Sequence, residues 1–184
     1  MIINTINGDS NLHFFREFNR QGLTAAVTPV LSFSISESDF GSEVDLLIGH
    51  YSAWSYFPEL PSEENALFVR NYRQAFGANA IINDPIVSTH IGIHLWFKAA
   101  REACSSEPQL VNTTILRQSL LAPQGIVSVD GRNRHLWQDL KIARYKKGNI
   151  HEIIWTSGYS IHPVRFPLFY TYSQWQQFIK ENSR

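Results

Sequence analysis

Two histidines, His90 and His94, lie one helical turn apart, the spacing of metal ligands on a single helix face. The string is His-Ile-Gly-Ile-His, without the glutamate that follows the first histidine in a zinc protease, and no third ligand is near in sequence. On an otherwise apolar segment the pair reads as structural. The 7 histidines and many serines permit a Ser-His-Asp hydrolase on paper, but no Gly-x-Ser-x-Gly elbow occurs, and a nucleophile needs a base within hydrogen-bond reach. Gly8 and Gly22 lack the three closely spaced glycines of a dinucleotide-binding turn. The expectation is therefore a protein without catalysis, metal or cofactor. What remains is a set of polar and aromatic groups at element ends: Asp9, Ser32, Ser34, Tyr51, Trp54 and Tyr56.

The elements that must position them read as α/β. Residues 2–6 form a short β-branched strand. Gly8-Asp9-Ser10 then gives a turn and an N-cap for a helix with Leu12, Phe14, Phe15 and Phe18 on one face, closing at Gly22. As that N-cap, Asp9 also has a purely local reading. Pro29 to Ile35 is a second strand with Ser32 and Ser34 on one face and Leu31, Phe33 and Ile35 on the other. Such a polar face must meet water, a ligand or a hydrogen-bonding partner, and a neighbouring backbone group can serve as well. Leu46 to Tyr51 is a third strand, running into the aromatic connector Ser52 to Phe57.

Ser62 caps the next helix, in which Phe68, Tyr72 and Phe76 recur every four residues before Gly77 stops it. Asp84-Pro85 opens a long helix to about Cys104 that is apolar nearly all round, which predicts burial between layers and an inert, buried thiol. A more polar helix covers Pro108 to Ser119. From Gly125 the period becomes two, with strands at Ile126–Val129, Leu140–Lys146 and Ile150–Trp155 and a turn at Lys147-Gly148. Arg132, Arg134, Lys141, Arg144, Lys146 and Lys147 make this region basic, as a solvated strand face or a docking surface. A short amphipathic helix with Trp175 and Phe178 ends the chain.

The chain has 184 residues and equal numbers of basic and acidic side chains, 16 each. Zero net charge argues against electrostatic capture of nucleic acid or an anionic membrane. With 43% apolar and 13% aromatic residues the chain can fill a core. A single cysteine excludes an internal disulfide. No run reaches membrane-spanning length, and Met1-Ile2-Ile3-Asn4-Thr5 lacks the basic start and apolar stretch of a secretory signal.

Several strings are similar to one family. Asn4-Thr5-Ile6-Asn7-Gly8-Asp9-Ser10-Asn11, Leu31-Ser32-Phe33-Ser34, Gly49 to Phe57 and Ala122-Pro123-Gln124-Gly125 occur in the order of the corresponding stretches in urea- and short-chain-amide-binding proteins. These are type I periplasmic solute-binding proteins, and they include a branch that senses amides to regulate amidases. The similarity runs to about Phe169 and begins midway through the family pattern. It implies a partial type I periplasmic-binding fold: a parallel sheet flanked by helices, with a late β hairpin near the hinge. Residues 1–50 would belong to the C-terminal lobe, 51–125 to a hinge crossing and helices of the other lobe, and 126–184 to the late hairpin, hinge return and tail.

The resemblance also implies a ligand, a small neutral amide or urea, held in an interlobe cleft. Asp9 would accept its N–H groups, Ser32 and Ser34 would meet its carbonyl or nitrogen, and Tyr51, Trp54 and Tyr56 would form a flat wall. The implied partner is an ABC transporter permease, with a periplasmic location for a complete parent and a cytoplasmic one for the chain as written. Two alternatives stay open. One is an amide-sensing regulator that acts on an amidase or kinase; the other is a remnant without ligand, held by its core or by homodimerisation.

Overall fold

The computed structural model describes residues 1–164 and 166–182. In chain order the strands are β1 (Ile2–Asn4), β2 (Val30–Ser32), β3 (Tyr51–Trp54), β4 (Ser119–Ala122), β5 (Gly125–Val129), β6 (Leu136–Trp137), β7 (Lys141–Lys146) and β8 (Ile150–Thr156). The α-helices are α1 (Ser10–Arg20), α2 (Glu63–Phe76), α3 (Asp84–Glu102), α4 (Pro108–Thr114) and α5 (Tyr172–Asn182).

A mixed sheet of order β1-β2-β3-β7-β8 organises the first core. β1, β2 and β3 run parallel, while β7 and β8 return antiparallel. Parallel neighbours need a crossover, and α1 supplies it between β1 and β2. Its apolar stripe buries Phe15 and Phe18 against Val30, Ile35, Phe40, Leu47 and Tyr145.

The first two strands are shorter than the sequence predicts, because side chains take over backbone partners at their ends. The amide oxygen of Asn4 accepts from the Ile6 N–H at 2.9 Å, and the Ser34 hydroxyl donates to the Ile6 carbonyl. The predicted strand at Leu46–Tyr51 is displaced. Gly41–Leu47 winds into a 3-10 helix, Gly49 and His50 already exchange backbone hydrogen bonds with Tyr145, and β3 itself starts at Tyr51 and runs into the expected connector. Gly49 makes the corner between them at φ +86°. A Cβ there would meet that of Ala25 at 2.8 Å, so both conformation and space demand glycine.

The second core joins α2, α3 and α4 to the antiparallel sheet β4-β5-β6. Ser62 caps α2 by accepting from Asn65 N at 3.1 Å, and Asn83 caps α3 by accepting from Ile86 N at 3.1 Å. α3 buries Val87, Ile91, Leu95 and Ala99, four residues apart. The predicted burial between two layers is not found: Ile93, Trp96 and Phe97, on the opposite side, are exposed at 63%, 46% and 52%. Packing in this chain covers one side of the helix only. α4 passes at Thr114 into a 3-10 helix over Ile115–Arg117, and Ser119 begins β4 instead of closing the helix. Cys104 is exposed rather than buried, since the chain leaves the helix there through a left-handed φ of +48°.

The chain leaves the large sheet at Trp54, enters the second core with Tyr56 and returns from β6 into β7. Lys147, Gly148 and Asn149 turn β7 into β8, with Gly148 and Asn149 both at positive φ. Among the described residues no helix is long and apolar enough to cross a membrane.

Candidate functional site

Open sheets with parallel strands present ligand groups beyond the carboxyl ends of those strands. At the ends of β1 and β2 the structure builds a polar node. The Asn4 amide nitrogen donates to Asn11 Oδ1 at 2.8 Å and to Ser32 Oγ at 2.9 Å, and the Asn11 amide nitrogen donates to the Ile6 carbonyl at 2.7 Å. Asn4, Asn11 and Ser32 are buried, so each satisfies the others. Ser34 joins the node from above through the same Ile6 carbonyl.

Asp9 lies three residues beyond Ile6 and is exposed. It occupies the N-cap position of α1 but makes no capping hydrogen bond, because its φ of −58° and ψ of −24° are helical rather than extended. Its carboxylate is therefore not spent on the helix. Tyr51 and Trp54 are half-buried on β3, and the Trp54 indole N–H donates to the Ile35 carbonyl at 3.1 Å, which sets the ring across the end of β2.

The other two expected ligand groups sit elsewhere. Ser32 is fully buried, and its hydroxyl accepts from Asn4, so it supports the edge from below. Tyr56 is 1% exposed in the second core, where its hydroxyl donates to Asn65 Oδ1 at 2.8 Å. Burial and the nearby Glu59 charge push its phenol well above the ordinary tyrosine range, so that proton stays in place. The structure thus places Asp9 beyond the end of β1, Ser34 beyond the end of β2 and Trp54 at the end of β3, with Ser32 buried beneath, whereas Tyr51 opens β3 level with Leu31 and Tyr56 lies in the second core.

Two groups of interior charges at the crossing were not foreseen in these roles from the sequence. In the first, Asp84 Oδ1 accepts from the backbone N–H groups of Ser55 and Tyr56 at 3.0 and 2.8 Å, while Lys141 Nζ donates to the Ser55 carbonyl at 3.2 Å. Burial raises Asp84, against the opposing pull of its hydrogen bonds and Lys141, and burial lowers Lys141 despite Asp139 and Asp84. In the second, His151 is buried between Glu37 and Glu59, with Nε2 at 2.6 Å from Glu37 and Nδ1 at 3.1 Å from Glu59. The signal for both was a charged or polar side chain at an inward position of a period-two strand, Lys141 on β7 and His151 on β8.

Lys141 also corrects the reading of a solvated basic face. Arg144 and Lys146 share Glu152, and Arg132 meets Asp130, so part of this surface charge is offset locally. His90 and His94 meet at a tilt of 52° with ring centroids 4.3 Å apart, and His90 lies edge-on to Phe68. Among the described residues no group of three or more His, Cys, Asp or Glu side chains could hold a metal ion.

The profile of the periplasmic binding protein domain matches residues 1–172. The chain belongs to that family. Its mixed α/β architecture is that of a partial type I periplasmic binding protein. Among curated relatives, the "Leu/Ile/Val-binding protein homolog 6" of Brucella melitensis is 24% identical over 147 residues, 78% of this chain and 37% of its own length. A protein of Geobacillus stearothermophilus named "Limonene hydroxylase" is 26% identical over 109 residues, 59% of this chain and 20% of its own. Among solved structures, the solute binding protein of an ABC transporter from Rhodopseudomonas palustris, in complex with 3,4-dihydroxy benzoic acid, superposes with a TM-score of 0.69 at 20% identity. That match covers 88% of this chain and 46% of the other, so the chain spans less than half the length of these relatives.

Proposed function

We propose that this periplasmic-binding-family chain contributes one wall of a non-catalytic solute-binding cleft, formed by Asp9, Ser34 and Trp54. A single observation carries this reading: an exposed carboxylate, left free by its own helix, follows the carboxyl end of β1, while Ser34 follows that of the neighbouring parallel strand β2 and the half-buried Trp54 ends β3. The favoured ligand is urea or a short-chain amide, since a carboxylate accepts N–H groups and the flat indole suits a planar solute. In a whole protein such a wall serves delivery to an ABC transporter, or a signalling partner in the sensing alternative. Closure then requires contacts from both sides of the cleft.

The benzoate-type ligand of the R. palustris structure favours a second reading, an aromatic acid. An anionic head group would be repelled by Asp9, whereas the ammonium of an amino acid would be attracted. Titration calorimetry with urea, acetamide, leucine and 3,4-dihydroxybenzoate separates these classes. Heat from the amides that Asp9→Asn weakens supports the amide reading. Binding of the benzoate alone, strengthened by Asp9→Asn, overturns it.

A further inference from the structure

The group Glu37–His151–Glu59, of which Glu37 and His151 are buried, lies outside the proposed ligand wall, and it joins three separate parts of the chain. Glu37 opens the turn that follows the Ser34 edge, Glu59 lies in the crossing between the cores, and His151 sits on β8. One imidazole touches both carboxylates through its two nitrogens. Both ring nitrogens can donate together only in the imidazolium form, so the geometry suits a charged histidine. The surroundings are accounted for on every side. From β7 the Tyr145 hydroxyl donates to Glu37 Oε1 at 3.1 Å, its own proton held by burial and by the charges of Glu37 and Asp39. From the crossing the Phe57 ring packs on the imidazole at 5.3 Å. The neighbouring Glu152 turns to Arg144 and Lys146.

We propose that Glu37, His151 and Glu59 form a charged pin that fixes the crossing and the turn after β2 to the large sheet, making His151 a positioning residue for the binding edge. The pinning stands on the geometry alone, while its consequence for solute capture rests on the proposed function. Burial by itself would lower the His151 pKa, but the hydrogen bonds and charges of Glu37 and Glu59 outweigh it and raise the group from 6.5 to about 9. A histidine raised on folding contributes fully below its unfolded value and loses that contribution as pH rises through about 9. The pin is therefore closed at neutral pH and opens in mild alkali.

Hydrogen exchange measured at several pH values and corrected for intrinsic rates tests this. In the wild type, amides of residues 55–60 and 36–40 should gain about tenfold in opening between about pH 8 and pH 10. In His151→Gln those amides should be open throughout, with no pH step. Glu59→Gln, at a partly exposed position, preserves the fold and should move the step to lower pH. A flat wild-type profile, or an unchanged step in both variants, overturns the pin. A step in the wild type without any solute heat leaves the pin standing and removes the ligand reading instead.

Discussion

At the scale of residues, two buried histidines are tuned in opposite directions by what faces them. Among the described residues no carboxylate faces His50. Its Nδ1 accepts from the Val30 N–H at 3.0 Å, and its ring lies edge-on to Phe15 and Phe18. Burial lowers its pKa from 6.5 to about 4, so the native state holds it neutral. The unfolded chain binds that proton more readily, and the stability His50 contributes is present above pH 6.5 and lost as pH falls toward 4. Denaturant titrations across this range should show a fall in stability that His50→Asn, which keeps an acceptor near the Val30 N–H, largely lacks. An equally steep fall in the variant would assign the acid sensitivity to other groups. Sequence reading passed over His50 because its role depends on Phe15, Phe18 and Val30, which are distant in the chain.

At the scale of elements, α3 shows how far periodicity reaches. Its apolar residues are spaced to cover both sides of a helix, and the pattern marks one from Asp84 to about Cys104, two residues beyond the observed end at Glu102. Only one side is packed. Leu95→Ala, which empties a position 3% exposed in the second core, should cost about 2–5 kcal/mol of unfolding free energy. Phe97→Lys, on the uncovered side, should change stability by no more than about 0.5 kcal/mol. Comparable losses from both substitutions would mean that the outer side is covered in solution. The strands were less legible than the helices. β1 and β2 are three residues each, and their ends are set by the Asn4, Asn11, Ser32 and Ser34 hydrogen bonds rather than by hydrophobic alternation.

At the scale of the whole molecule, two cores share one crossing, and charged groups from both sides hold it. Asp84 reaches the crossing from α3, and Lys141 reaches it from β7, each meeting the backbone of Ser55. Removing the Asp84 carboxylate leaves two backbone donors without their acceptor, at about 1–3 kcal/mol for each, and leaves Asp139 as the carboxylate facing Lys141. The wild type should unfold in one transition by Trp fluorescence and far-ultraviolet dichroism alike. In Asp84→Ala the two signals should separate, as the cores lose their coupling. Coincident, unshifted curves in the variant would show that apolar packing alone couples them. For the candidate site, loss of even two hydrogen bonds from missing contacts, at about 0.5–1.5 kcal/mol each, would weaken solute binding roughly 5- to 150-fold.

The amino-acid order alone determined the α/β class, the helix positions and the family, because periodic apolar spacing and turn residues are local and because contiguous strings carried the resemblance. It also marked Asp9 and Ser34 as groups at element ends. Tertiary structure decided that Ser32 is a buried support, that Tyr56 belongs to the second core, and that Lys141 and His151 are interior charges holding the crossing. Those roles depend on pairs separated by 86 residues for Ser55 and Lys141 and by 114 for Glu37 and His151. No local pattern encodes such a pairing, since it exists only once the parallel strands and the returning β7–β8 ribbon have closed around the same few buried groups.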